Sequence, residues 1–202
     1  AAQKNNLPQL LKVTELKSDL HMHSTWSDGR GSIEDMARAA IDRGLELICI
    51  CDHSASLGIA GGLSVDDLKK QRNEINEVQE KIGNELKILQ GTEVEILADG
   101  SLDFEDEVLK ELDLVIASLH SSLRQPREVI TERLLKAMKN PNVDIIGHPS
   151  GRLLPNREGA DLDWERVLET ARETRVALEI NSDPSRLDLD EIHARKASEM
   201  GI

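Results

Sequence analysis

The sequence lacks a long apolar run and has few cysteines. No stretch of about 18 apolar residues could span a bilayer, and residues 1–6 (AAQKNN) lack the apolar core of a signal peptide. The two cysteines, Cys49 and Cys51, lie two apart in an apolar segment, where a strand would point both to one face without geometry for an easy mutual disulfide. We therefore expect a cytoplasmic protein that has no membrane contact and buries both thiols.

Basic side chains are also scarce. The chain carries 38 acidic against 25 basic residues, a formal net charge of −13. This balance argues against a large independent nucleic-acid surface, because such surfaces are usually basic. Any contact with phosphate must then be local, through bound cations or a few arginines. Internal repeats and low-complexity tracts are absent as well, and 202 residues fit one domain.

The two ends of the chain lead us to expect a segment of a longer protein. The sequence begins without Met and stops at Ile202, where a helical pattern ends and a strand would follow. A complete (β/α) barrel typically needs about 250 residues. We expect residues 1–17 to be an amino-terminal arm or linker remnant, and residues 18–202 to be one domain that is incomplete at its carboxyl end.

Short β-rich runs alternate with helical patterns along the whole chain, which predicts a parallel sheet with crossover helices. Six strands are predicted, at 18–23, 45–51, 86–96, 113–120, 143–147 and 176–181. The predicted helices lie between Ser32 and Gly44, and at 64–83, 105–112, 126–139, from 163 onward, and 189–200.

Five of the six histidines fall at or just beyond the carboxyl end of a predicted strand, the edge that carries the active site of a parallel α/β barrel. His21 and His23 are two apart on the first strand, so both rings project from one face, about 7 Å apart along the chain. Asp19 points the same way and is a candidate to orient one of them. Asp28 follows in the next loop.

Each later strand from the second to the fifth contributes one candidate ligand, and these are His53, Glu93, His120 and His148. Any one of these residues alone is more simply explained as a structural side chain. Together they indicate a metal site, because burying them without an ion would leave polar groups unpaired. Cys51 is not expected to bind the metal, and His193, within a helical pattern, is expected to face solvent.

With these residues in place, the sequence resembles the PHP (polymerase and histidinol phosphatase) family, most closely the PHP domain at the carboxyl end of bacterial and archaeal family X DNA polymerases. The motifs are at 19–29 (DLHMHSTWSDG), 52–54 (DHS), 91–95 (GTEVE), 117–122 (ASLHSS), 147–152 (GHPSGR) and 178–181 (LEIN). The polymerase-type features are at 7–10 (LPQL), 99–103 (DGSLD) and 124–126 (RQP).

The resemblance implies a distorted seven-stranded (β/α) TIM-like barrel, here with about six β/α units and the last strand missing. It implies up to three ions and seven metal ligands: His21, His23, Asp28, His53, Glu93, His120 and His148. Glu93 would complete a first site with His21 and His23 and bridge to a second with His120 and His148. Asp28 and His53 would hold a third ion weakly, because the family's final Asp-x-His motif is absent.

Histidine-plus-carboxylate ligands suit Zn, Mn or Fe, and the resemblance implies two or three such divalent ions. The hypothesis is phosphoester hydrolysis by a metal-activated hydroxide, with Glu93 and His120 at the catalytic centre. Arg152 and Arg186, each shortly after a strand end, are candidate phosphate clamps, and solvated loop arginines are the equally open alternative.

Four functions compete. The family analogy favours processing of a DNA 3′ end, by 3′–5′ exonuclease or 3′-end phosphatase activity, with polymerase domains in the same longer chain. The alternatives are a small-molecule phosphatase of the histidinol-phosphate type, a catalytically silent scaffold domain, and a non-catalytic metal-storage or binding module.

Overall fold

A computed structural model describes residues 11–202, and it confirms six parallel strands. The strands are β1 (Ser18–Met22), β2 (Leu47–Ile50), β3 (Lys87–Glu95), β4 (Leu114–Ser118), β5 (Ile145–Gly147) and β6 (Ala177–Leu178). The helices are α1 (Ile33–Asp42), α2 (Val65–Ile82), α3 (Asp106–Leu109), α4 (Arg127–Met138), α5 (Trp164–Thr174) and α6 (Glu191–Met200), with 3-10 turns at Val13–Glu15 and Gly58–Ala60. The predicted motif at 7–10 lies outside the described residues.

Helices α1, α2, α5 and α6 begin where a side chain caps the free backbone N–H groups. Ser32 and Ser64 each accept a hydrogen bond from the backbone N–H three residues on, and the aspartate at that position returns the bond. Asp163 caps α5 in the predicted place. Such caps are typically worth about 1 kcal/mol each. These local signals explain why the starts of α1, α2 and α5 could be read from the sequence.

The last strand is shorter than predicted. Only Ala177 and Leu178 pair with β5, whereas the prediction extended to residue 181. Beyond this point the backbone N–H of Asn181 donates to the carbonyl of Asp188 within the following loop. The backbone of residues 179–181 therefore belongs mainly to a loop at the carboxyl edge of the sheet.

The sheet curls in the order β1 to β6 into a half-barrel, and β1 and β6 are its edges. A cavity of 620 Å³ lies between these edges, with walls that include Leu20 on β1 and Leu178 on β6. The concave side of the sheet is filled by Cys49, Cys51 and Ile116. Both cysteines are buried and free, as expected. Helices α1 and α2 cover one part of the convex side, and α3 to α5 cover another.

Candidate metal centre

Five imidazoles surround the carboxylate of Glu93 at the carboxyl edge of the half-barrel. They come from the ends of β1, β2, β4 and β5, and in order around the ring they are His21, His23, His53, His120 and His148. Neighbouring ring centroids lie 4.4 to 6.1 Å apart, the widest spacing being the one that closes the ring between His148 and His21. The parallel strands place these side chains together, since all of them follow strands that end at one edge.

The two oxygens of Glu93 face different histidines. Oε2 lies 3.4 Å from Nε2 of His21, 3.5 Å from Nε2 of His23 and 3.0 Å from Nδ1 of His53. Oε1 lies 3.3 Å from Nε2 of His120 and 2.8 Å from Nε2 of His148. A single carboxylate thus stands between two groups of imidazoles, an arrangement suited to bridging two ions.

Glu93 is almost completely buried, with 1% of its surface exposed. Burial alone would raise its pKa, but the surrounding histidines, His120 and His148 foremost, outweigh this effect and hold the pKa well below the usual range. The group is therefore an anion inside a shell of imidazoles. An anion with several convergent nitrogens is the donor set that a divalent transition-metal ion requires.

Several buried polar atoms of this ring have no hydrogen-bond partner among residues 11–202. They are Nε2 of His21, Nδ1 of His23, Nδ1 of His53, Oε1 of Glu93 and Nδ1 of His148. Buried polar atoms are usually paired, because each unpaired one costs free energy. Most of these atoms point at Glu93 or belong to it, so bound cations would satisfy them. The residues present fit a metal centre.

Asp28 supplies a second carboxylate on the solvent side of the ring. Its two oxygens lie 3.6 Å from Nδ1 of His23 and 3.6 Å from Nε2 of His53, and its side chain is 53% exposed. Together His23, Asp28 and His53 could hold an ion, as could His21, His23 and Glu93. The predicted third site therefore has His23 within reach in addition to the two ligands that the resemblance implied.

Asp52 fixes the loop that carries Asp28. This buried carboxylate accepts hydrogen bonds from the backbone N–H of Ser24 at 2.8 Å and from its hydroxyl at 2.6 Å. The hydroxyl of Ser27 donates at 2.5 Å, and the amide of Gln71 on α2 donates at 2.6 Å. Asp52 thus ties the end of β2 to the β1–α1 loop and to α2.

Two further carboxylates contact the outer nitrogens of ring histidines. Glu179 lies 2.7 Å from Nδ1 of His21, and Glu95 lies 2.7 Å from Nδ1 of His120. The prediction that Asp19 orients a ring was wrong, because Asp19 is exposed and, among residues 11–202, its side chain accepts only from the backbone N–H of His21. Local spacing could have indicated Glu95, which is two residues from Glu93 on one strand, whereas Glu179 is 158 residues from His21.

The two predicted clamp arginines lie together in the loops that follow β5 and β6. Nε of Arg152 donates to the carbonyl of Arg186 at 2.7 Å, and its Nη2 donates to the carbonyl of Leu187. Arg152 therefore holds the β6–α6 loop. Nη1 of Arg186 is buried and has no partner within residues 11–202.

His193 and Cys51 stand outside the ring. The prediction that His193 faces solvent was wrong: its ring stacks on Trp164 with centroids 4.1 Å apart, and Nδ1 lies 2.8 Å from a carboxylate oxygen of Asp190. The local sequence around His193 does not indicate this packing of α6 on α5. Cys51 lies beneath the cluster, where its thiol donates to the carbonyl of Leu20.

Comparison with known proteins identifies the family. The family model of the PHP domain matches residues 19–183. The chain belongs to the PHP family. Membership of this family, with the histidine and carboxylate cluster, makes this PHP domain a metal-dependent phosphoesterase.

Two relatives of this chain carry different names, one a polymerase and exonuclease and one a phosphatase. The chain is 48% identical over 194 residues to the DNA polymerase/3′-5′ exonuclease PolX of Bacillus subtilis, covering 96% of this chain and 34% of that protein. It is 38% identical over 195 residues to a probable phosphatase of Caldanaerobacter subterraneus subsp. tengcongensis, covering 91% of this chain and 72% of that protein. The PHP domain thus spans about a third of the polymerase.

Solved structures share the fold. The hisK protein of Listeria monocytogenes superposes with a TM-score of 0.71 at 17% identity, over 92% of both chains. The histidinol phosphate phosphatase of Lactococcus lactis, solved with zinc, histidinol and phosphate, gives a TM-score of 0.60 at 21% identity, over 92% of this chain and 82% of that one. No helix within residues 11–202 is long and apolar enough to cross a membrane.

Proposed function

We propose that this PHP domain hydrolyses phosphodiester bonds at DNA 3′ ends, as a 3′–5′ exonuclease or 3′-end processing enzyme in the cytoplasm. The observation that carries the proposal is the ring of five imidazoles around one buried carboxylate, Glu93. The choice of DNA rests on the PolX relative, which matches 96% of the chain. Polymerase domains in the same longer protein are the partners that this relative suggests.

The ligands that we propose for two or three ions of Zn, Mn or Fe are His21, His23, Asp28, His53, Glu93, His120 and His148. Glu93 would bridge, since each of its oxygens faces a different group of histidines. Ions bound there would supply a water molecule of lowered pKa and positive charge beside the phosphate oxygens. No serine or cysteine nucleophile is required.

Arginines in the loops that follow β4, β5 and β6 are candidate phosphate contacts. Burial lowers the pKa of Arg157, and the nearby charges of Arg186 and Arg124 lower it further, so the three guanidinium groups lie near one another. Arg124 also lies 3.5 Å from the carboxylate of Glu158. Arg186, with its unpaired Nη1, is the proposed phosphate contact. Arg152 would support it by holding the Arg186 carbonyl.

The small-molecule alternative also has specific support. The second relative is a probable phosphatase, and the two solved structures compared above are histidinol phosphatases by name. In that case L-histidinol phosphate or a similar monoester would be the substrate, and the arginines would bind its single phosphate.

A direct comparison of substrates separates these functions. The purified full-length protein, loaded with manganese, would be offered 3′-labelled DNA and L-histidinol phosphate in parallel. We expect release of nucleotides from the DNA 3′ end, loss of this activity in His120→Asn, and retention in the control His193→Asn, which changes a histidine outside the ring. Preferential hydrolysis of histidinol phosphate would favour the alternative, whereas turnover of neither substrate by the metal-loaded protein would favour a scaffold or metal-storage role.

We also propose that residues 18–202 are an incomplete barrel, and that a further strand fits between β1 and β6. Within residues 11–202 the outer edges of β1 and β6 have no partner strand, and this, with the 620 Å³ cavity between them, supports the proposal. Hydrogen exchange in the full-length protein tests it: the amides of β1 that face the gap should be protected there and exchange rapidly in a protein ending at Ile202. Equal exchange in both proteins would contradict the extra strand.

A further inference from the structure

Glu179 uses its two oxygens for two different metal-ligand candidates. Oε1 lies 2.7 Å from Nδ1 of His21, and Oε2 accepts the backbone N–H of His148 at 2.6 Å. His148 has a φ of 27°, an uncommon conformation for a residue with a side chain, and this hydrogen bond helps to hold it. One carboxylate from the end of β6 thus reaches ligands on β1 and β5.

Glu95 repeats the arrangement at His120. Its Oε2 lies 2.7 Å from Nδ1 of His120, while Oε1 accepts from the backbone N–H of Ser121 at 3.1 Å and from the Ser121 hydroxyl at 2.7 Å. The buried guanidinium of Arg133 lies 3.7 Å from Oε1 and donates to the carbonyl of Ser121. These contacts leave Glu95 little freedom to turn away from the ring.

Both carboxylates impose a proton position on the histidine they contact. An ionised carboxylate oxygen only accepts hydrogen bonds, so the ring nitrogen that faces it must carry a proton. A neutral imidazole has a single N–H, and its other nitrogen then presents a lone pair. In His21 and His120 that other nitrogen is Nε2, which faces Glu93 at 3.4 and 3.3 Å.

We propose that Glu179 and Glu95 are positioning residues, which place the proton of His21 and His120 on Nδ1 and so leave each Nε2 free to bind a metal ion. This inference rests on the metal centre proposed above. Among residues 11–202, Nδ1 of His148 has no such carboxylate partner. Carboxylates therefore position particular histidines of the ring and not all five.

The positions of the protons can be observed directly. Long-range ¹H–¹⁵N correlation spectra of the zinc-loaded protein, labelled with ¹⁵N-histidine, report which nitrogen of each ring is protonated. The proposal predicts a protonated Nδ1 and a zinc-shifted Nε2 for both His21 and His120. A proton on Nε2 of either ring would overturn it, and this measurement needs no variant.

Substitution of each carboxylate by its amide gives a second test. In Glu179→Gln the amide oxygen can accept a hydrogen bond from either the backbone N–H of His148 or Nδ1–H of His21. The NH₂ group must then face the remaining N–H, so two donors meet without an acceptor. The same conflict arises in Glu95→Gln, between Ser121 and His120. We expect each variant to weaken zinc binding roughly 10- to 100-fold, the usual range for loss of a group that orients a metal-binding histidine.

The control is Asp144→Asn. Asp144 also accepts a hydrogen bond from a backbone N–H, that of Val115 at 2.9 Å, but it lies at the amino end of the sheet and contacts no histidine. The zinc affinity of the Asp144→Asn variant should therefore be unchanged. Unchanged affinity in both glutamine variants would contradict the inference. Failure of the unmodified protein to bind zinc would instead remove the proposed metal centre, and the inference with it.

Discussion

Oε1 of Glu93 lies 2.8 Å from Nε2 of His148, while Oε2 of the same carboxylate lies 3.0 Å from Nδ1 of His53. The carboxylate therefore separates two groups of imidazoles that rise from different strands. If the ring binds two ions, Glu93 is the group placed to serve both. The consequences of this relationship can be measured.

Replacing Glu93 by Gln should remove more than one equivalent of bound metal. The amide keeps the size of the side chain but loses its charge, and its NH₂ group would face one of the histidine groups. Metal content per chain, measured by mass spectrometry after gel filtration, checks this expectation. Glu105→Gln, which alters an exposed acid at the start of α3, should retain the full metal content. Loss of one ion or none would contradict the bridging role.

Metal binding near neutral pH should release protons. Burial alone would lower the pKa of both His21 and His120. In the metal-free protein, hydrogen bonds with Glu179 and Glu93 outweigh burial and raise the pKa of His21 to about 10. Hydrogen bonds with Glu93 and Glu95 likewise raise the pKa of His120 to about 9. Both rings must lose a proton to bind an ion. Calorimetry in buffers of different ionisation enthalpy should show release of about two protons. Zinc binding without proton release would contradict these charged states.

The same groups predict how the metal-free protein responds to pH. Their folded pKa values lie above the ordinary 6.5, so their stabilising contribution is complete below pH 6.5 and is lost as pH rises towards about 9 for His120 and about 10 for His21. The pKa of His23 is lowered to about 4, chiefly by burial, so its stabilising contribution is complete above pH 6.5 and is lost as pH falls from 6.5 towards about 4. Urea unfolding of metal-free protein across this range would show a decline at both ends. A free energy of unfolding that is flat from pH 6.5 to 10 would refute the assignment.

Asp52→Ala should destabilise the fold. The substitution leaves the buried donors of Ser24 and Gln71 without their acceptor, and unsatisfied buried groups typically cost 1–3 kcal/mol each. We expect a loss of about 3 kcal/mol in the free energy of unfolding. Asp99→Ala is the control and should change stability little, because the exposed side chain of Asp99 accepts hydrogen bonds from Ser101 of its own loop, and its carbonyl bond with Lys136 is kept. Similar stability of both variants would show that Asp52 does not hold the β1–α1 loop.

Gly91→Ala tests the packing beneath the metal centre. A Cβ atom at this position would lie 2.6 Å from Sγ of Cys51 and 2.6 Å from the carbonyl oxygen of Leu114, which is main chain and cannot turn away. We expect a loss of about 1–3 kcal/mol from overpacking, measured by urea unfolding. Gly58→Ala meets no atom within 4 Å and should be tolerated. A Gly91→Ala protein as stable as the Gly58→Ala protein would mean that β3 does not pack so closely against Cys51 and against Leu114 on β4.

The parts of the site that local sequence determines could be predicted. His53 and His120 each follow an apolar strand pattern, and parallel topology brings the ends of such strands to one edge. The contact between Glu179 and His21 could not be predicted, because it depends on how far the sheet curls to bring β6 towards β1. The stacking of His193 on Trp164 likewise depends on the packing of α6 against α5. Long-range geometry, which the chain acquires only on folding, accounts for what the sequence did not reveal.

Anomalous diffraction from crystals grown with zinc tests the central claim most directly. The account predicts strong peaks inside the ring of imidazoles, with at least one within bonding distance of each oxygen of Glu93. Peaks confined to other surfaces of the protein, or an ordered ring of histidines without any ion, would contradict it.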